Sequence, residues 1–92
     1  MSRENAIRKI IARYGARVQI EKSVEECAEL IQALMKPRSP REIIESVVDE
    51  LADVSIMLEQ LKLIFFCADQ VEERIDFKIK RQLERIEKEN VK

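Results

Sequence analysis

SPREIIESVVDELADVSIMLEQLKLIFF, residues 39–66, decides the fold. Ser39 suits a helix N-cap, Pro40 the first helical position and Glu42 the N3 position of a capping box. Beyond that start, Ile43, Val47, Val54, Met57, Leu61 and Ile64 recur at three and four and mark one apolar face. Neither glycine nor proline interrupts the stretch after Pro40. The spacing predicts a single helix running to about Phe66, on the order of 40 Å long at about 1.5 Å per residue.

Two residues break this pattern. Glu50 falls three after Val47 and four before Val54, in the middle of the apolar face, and Asp53 lies beside it, four before Met57. A solvated ion-pairing acid belongs on the polar side, with Glu45, Asp49 and Glu59. An unpaired carboxylate among apolar residues is costly, and such breaks in binary pattern tend to mark function.

Upstream, Ile20, Val24, Cys27, Ala28, Ile31, Leu34 and Met35 repeat with helical spacing, which predicts a helix from about Arg17 to Met35. Its acids repeat the theme. Glu26 and Glu29 flank Leu30 and Ala33, a second apolar strip beside the main one. Glu25 lies about 100° round the helix from Glu26; a metal ligand, a water-orienting base and a solvated neighbour all remain open for it. Lys36-Pro37-Arg38-Ser39 ends this helix, and so short a connection predicts antiparallel packing onto the next. Glu29 and Glu50 then fall at similar heights, within roughly a turn. Two i, i+3 acid pairs on facing helices make a four-carboxylate nest. A hard divalent cation, Mg²⁺ first, makes such a nest tolerable. Taken singly, Glu-x-x-Glu and Glu-x-x-Asp pairs are ordinary features of solvated helices.

Two further helices complete the reading. Ile7, Ile10, Ile11 and Tyr14 stripe a first helix from about Arg3 to Tyr14, ended by Gly15 in a left-handed C′ position. Asp69-Gln70-Val71-Glu72 opens a fourth, to about Glu89, with Val71, Ile75, Ile79, Leu83 and Ile86 facing inward and the last few residues fraying. No strand pattern or internal repeat intervenes. The fold class expected is all-α: one domain over residues 1–92, an antiparallel bundle of about four helices.

Composition bounds the rest. A chain of 92 residues has a thin core, yet 46% of it is hydrophobic, which predicts a homo-oligomer, dimer or tetramer. The charged residues reach 38% but nearly cancel, to a formal net charge of −1. A nucleic-acid-binding domain would carry a basic excess. Without histidine there is no Ser-His or Cys-His dyad and no His-ligated zinc; a single glycine excludes a Gly-rich phosphate loop. Phosphate, if bound, must be held by Lys and Arg side chains. Cys27 and Cys67 read as buried packing thiols in a reducing compartment. The longest apolar run, Leu63 to Ala68, is too short to span a bilayer, so no membrane partner and a cytoplasmic location are expected.

Lys22-Ser-Val-Glu25-Glu26-Cys-Ala-Glu29-Leu30, then Glu50-Leu-Ala-Asp53-Val54, resembles the MazG-like all-α nucleoside triphosphate pyrophosphohydrolases, which carry an EExxE segment followed by ExxD. The stretch ELADVSIMLEQLKL (50–63) looks like the short single-domain phage and bacterial members, and the resemblance covers roughly residues 17 to 86. It implies a Mg²⁺-dependent enzyme, with Mn²⁺ as a substitute, that cleaves a nucleoside triphosphate to the monophosphate and pyrophosphate. By motif match, Glu26, Glu29, Glu50 and Asp53 would hold the metal. Glu25 or Glu50 would accept the proton of the attacking water. Lys22, Lys78, Arg81 and Arg85 would contact phosphate. Tyr14, Phe65, Phe66 and Phe77 are the aromatic residues that could stack on a base. Related all-α families act on dUTP, dCTP or phosphoribosyl-ATP, so base and sugar stay open. Two other readings fit the residues alone: a non-catalytic helical dimerisation module, and a regulator that binds nucleotide without cleaving it.

Overall fold

Helix signals in the chain are local and strong, and the computed structural model, which describes residues 1–90, follows them. Helix α1 spans Arg3–Tyr14, α2 Ala16–Met35, α3 Pro40–Ile64 and α4 Ala68–Asn90, with no strand among the described residues. Each start has a chemical reason. Ser2 caps α1 by accepting from the Asn5 amide at 3.1 Å. Ser39 caps α3 by accepting from the Glu42 amide at 3.3 Å, while the Glu42 carboxylate accepts from the Ser39 amide at 3.4 Å, which closes the capping box. Pro40 occupies the first turn, where no amide hydrogen is needed.

Gly15 serves two helices. Its amide donates to the Ile11 carbonyl at 2.8 Å and its own carbonyl accepts from Gln19 at 3.1 Å, so α1 ends and α2 begins on one residue. The backbone there has φ +92°, which favours glycine. At its C-terminal end, beside Ala12 and Ala16, α3 closes on Phe66, a non-glycine residue at φ +53°. The Phe66 amide reaches the Leu63 carbonyl and the Cys67 amide reaches back to Lys62. Cys67 then precedes α4, with its carbonyl accepting from Val71 at 2.9 Å. Asp69 therefore lies inside the first turn of α4, where its charge meets the helix dipole, rather than at the cap. The expected fraying concerns in part residues 91 and 92, which lie outside the described residues; α4 is regular to Asn90.

Helices α2 and α3 make the most extensive contact, α1 lies on both, and α4 touches α3 alone. The face of α3 predicted to be apolar is the one turned inward: Met57 is buried and Ile43, Val47, Val54, Leu61 and Ile64 are half-buried. In α2 the outcome is reversed. The stripe richest in hydrocarbon faces outward, with Val24, Ile31 and Leu34 exposed. The inward face is Gln19, Ser23, Glu26, Leu30 and Ala33. Cys27 rides the outer stripe and is exposed; Cys67 sits half-buried in the α3–α4 turn, so neither thiol is the buried core residue expected, and neither forms a disulfide. The stripe of α4 is likewise uncovered. Ile75, Ile79, Leu83 and Ile86 are exposed, because α4 leaves the body at Phe65–Cys67 and no second helix of the chain reaches its apolar side.

Candidate metal centre

The polar inner face of α2 meets α3 at the acids. Glu26, Glu29 and Glu50 each present a carboxylate oxygen, and the three oxygens lie within 4.8 Å of one another. Successive turns of α2 carry the first two on one side of the helix, and α3 supplies the third from across the seam. Glu26 is 7% exposed, Glu50 is half-buried and Glu29 opens to solvent. One oxygen of Glu26 and one of Glu50, Oε2 in each, are buried with no hydrogen-bond partner. Leaving a charged acceptor unsatisfied in low dielectric is expensive. Two such atoms beside a third carboxylate form a set of hard oxygen donors, the donor chemistry that suits Mg²⁺.

Lys22 partly neutralises the cluster. Its Nζ lies 3.4 Å from Glu26 Oε1 and 3.8 Å from Glu25 Oε2, one turn back along α2. The hydrogen bond to Glu26 and that residue's charge, then the charges of Glu25 and Glu29, hold the Lys22 ammonium above its ordinary value; slight desolvation works the other way. In this state Lys22 and Glu25 form a surface ion pair at the edge of the cluster.

Asp53 is the quartet member that stands apart. It is exposed and is not one of the three converging acids, its side chain being one methylene shorter than theirs. It lines a groove of about 470 Å³ together with Glu26, Lys22, Gln19 and Gln60. A second groove, of about 530 Å³, runs along the other side of the cluster between Glu29 and Glu50, with Lys36 and Arg38 from the α2–α3 connection on its wall. The carboxylates thus sit between two open grooves.

Lys78, Arg81 and Arg85 are exposed on α4, and no residue of α4 lines either groove. Within the chain, the Arg81 guanidinium lies 5.8 Å from the Phe77 ring centre. Of the basic residues, Lys36 and Arg38 stand nearer the carboxylates than sequence reasoning placed any but Lys22. Their signal was weak: a basic pair in a short connection, read there as punctuation. Gln19 and Gln60 were also missed, although Gln60 follows Met57 by three and so occupies an inward position.

Among the described residues no helix is long and apolar enough to cross a membrane. The chain matches no protein-family model, no curated protein and no solved structure.

Proposed function

We propose that the chain is a Mg²⁺-dependent nucleoside triphosphate pyrophosphohydrolase of the MazG-like kind, acting as a homo-oligomer, dimer or tetramer, of antiparallel helical bundles. The observation that carries this reading is the pair of buried, unpartnered oxygens on Glu26 and Glu50 beside Glu29. Buried polar atoms in native proteins are paired with protein groups, ordered water or an ion, and two carboxylate oxygens beside a third acid favour the ion. Glu26, Glu29 and Glu50 would hold the cation, with Asp53 completing the set from the rim of the adjoining groove. Bound there, Mg²⁺ or Mn²⁺ would neutralise charge on phosphate oxygens and ease in-line attack by water.

The chain's own residues supply the rest. Glu50 or Glu25 would accept the proton of the attacking water, the exposed Glu25 by leaving its surface ion pair with Lys22. Lys22 neutralises Glu26 in the absence of substrate and contacts a phosphate once a cation takes over that task. Lys78, Arg81 and Arg85 clamp the pyrophosphate from the α4 of a neighbouring subunit. That assignment rests on the uncovered stripe of α4 and on the absence of α4 residues from the grooves of its own chain. Lys36 and Arg38 provide a second cationic wall.

The test is a screen for Mg²⁺-dependent pyrophosphate release over canonical and modified NTPs and dNTPs. The expected result is release from at least one of them, abolished in Glu50→Gln with the helical content intact. Equal rates in parent and variant would remove Glu50 from the site. A second reading, a non-catalytic helical interaction module, is favoured by the exposed apolar stripes of α2 and α4. It requires thermal stability indifferent to Mg²⁺ and Mn²⁺. Binding of nucleotide without product would instead identify a regulator.

A further inference from the structure

The most buried large side chain among the described residues is an amide. Gln60 is 1% exposed, on the inward face of α3, and its Oε1 accepts a hydrogen bond from Gln19 Nε2 at 2.8 Å. That bond orients the Gln60 amide: its oxygen is engaged by α2, and its Nε2 is left buried without an acceptor. An orphaned amide donor costs on the order of 1–3 kcal/mol, so this arrangement lacks a partner as plainly as the carboxylates do. The position is informative. Gln60 and Gln19 line the same groove as Glu26, Asp53 and Lys22. The wall of the groove carries charge of both signs and the two amides, and is otherwise mostly apolar, with Ile56, Met57 and Val18 among its residues. Tyr14 stands at the rim, 58% exposed, with the Arg13 guanidinium 5.4 Å from its ring centre, a contact that takes one face of the ring and leaves the other for a planar ligand.

A ligand that fits these features is flat and apolar on its faces and has an acceptor on its edge; an anionic tail would be accommodated through the cation proposed for the neighbouring acids, since Glu26 and Asp53 outweigh Lys22 in the groove itself. We infer that this groove receives a nucleobase and that the Gln60 amide, held by Gln19, reads its edge as a donor, selecting keto bases over amino bases. Uracil, thymine, guanine and hypoxanthine present a carbonyl oxygen where cytosine and adenine present an NH₂ group. The donor satisfies the carbonyl and faces a second donor in the amino bases, a mismatch a buried site rejects strongly. Entry needs the Tyr14 and Val18 side chains to move aside, and both are more than half exposed. The assignment rests on the nucleotide reading of the neighbouring acids but concerns binding, not cleavage.

The experiment is equilibrium binding of α,β-imido analogues of dUTP, dTTP, dGTP, dCTP and dATP to the full chain with Mg²⁺, by calorimetry. The expected result is a preference of roughly tenfold or more for the keto analogues, the discrimination a single satisfied donor supports. In Gln60→Met, similar in volume but without a donor, the two classes should converge to within about threefold. The double variant Gln19→Leu/Gln60→Met, which leaves no amide behind, gives the same comparison if the single one unfolds. A parent chain that favours dCTP or dATP analogues, that binds all five alike, or that binds none overturns the inference. So does a keto preference that survives the loss of Gln60. Keto-selective binding without cleavage of the natural triphosphates would uphold it while removing the pyrophosphohydrolase.

Discussion

Glu50 shows what one carboxylate does in this seam. It occupies a position that helical periodicity reserves for hydrocarbon, and it is held against Glu26 and Glu29 with one oxygen unpartnered. On the proposed reading, three acids within 4.8 Å repel one another, a deficit of stability that a bound cation would repair. Glu50→Gln should therefore melt higher than the parent in metal-free buffer, by several degrees if the relief is about 1 kcal/mol. The parent should gain stability as Mg²⁺ is added, by about 2.7 kcal/mol at a hundredfold excess over Kd, and the variant should gain little. Differential scanning calorimetry with and without Mg²⁺ measures both. A variant that melts lower and still responds to Mg²⁺ would make the cluster merely structural. Lys22 adds a pH signature. Its folded pKa is raised by Glu26, then by Glu25 and Glu29, so its contribution is complete below the ordinary lysine value and is lost as pH climbs through the higher folded value. Melting curves of the parent and Lys22→Met should thus run parallel from pH 7 to about 9 and converge only above about 10.5.

Among the elements, the helix ends are where sequence and structure agree most closely. The α3 capping box was legible because its two residues, Ser39 and Glu42, act through bonds spanning three positions. Ser39→Ala should lower stability by about 1 kcal/mol, read as a drop of about 4–8 °C in Tm, with the Mg²⁺ response unchanged. The α3 end was harder to read. Phe66 adopts φ +53° without being glycine, and it is 87% exposed, so little packing compensates the conformation. Phe66→Gly should raise thermal stability by roughly 0.5–1 kcal/mol; a lower Tm would mean that the ring is held by something outside the single chain. The convergence of Glu26, Glu29 and Glu50 was legible as well, because two i, i+3 pairs and a short connection leave little freedom. The burial of α2 was misread for a physical reason. Periodicity identifies the most apolar stripe, Val24 to Leu34, and assigns it to the core. The stripe that meets α3 is instead the one bearing Gln19, Ser23, Glu26 and Ala33. A pattern states which face seeks burial, not which neighbour provides it.

At the scale of the whole molecule, the single chain is extended and open. It exposes 7706 Å², whereas a compact monomer of its 10.8 kDa would expose roughly 5,500 Å². Its radius of gyration is 17.0 Å against about 12 Å for a compact domain of this length. Among the described residues, only Ile7, Ala33 and Met57 are buried apolar residues. A core of that size does not offset the conformational entropy of ordering four helices. The excess surface, about 2,000 Å² per chain, is what an obligate homodimer interface conceals. It is also laid out for one, as long stripes on α2 and α4 that an isologous partner could cover with the same stripes of its own. Sedimentation or light scattering should therefore give a mass that is a multiple of 10.8 kDa at micromolar concentration. Lysine placed in either stripe, at Ile31 or Leu83, should shift the mass toward one chain and lower Tm together, since association and folding would be the same event. The Leu83→Lys variant carries the sharper consequence. If the neighbour's α4 brings Lys78, Arg81 and Arg85 to the phosphates, this variant loses pyrophosphate release in proportion to the fraction dissociated, and raising protein concentration restores it. A stable, active monomer would end both the shared site and the oligomer.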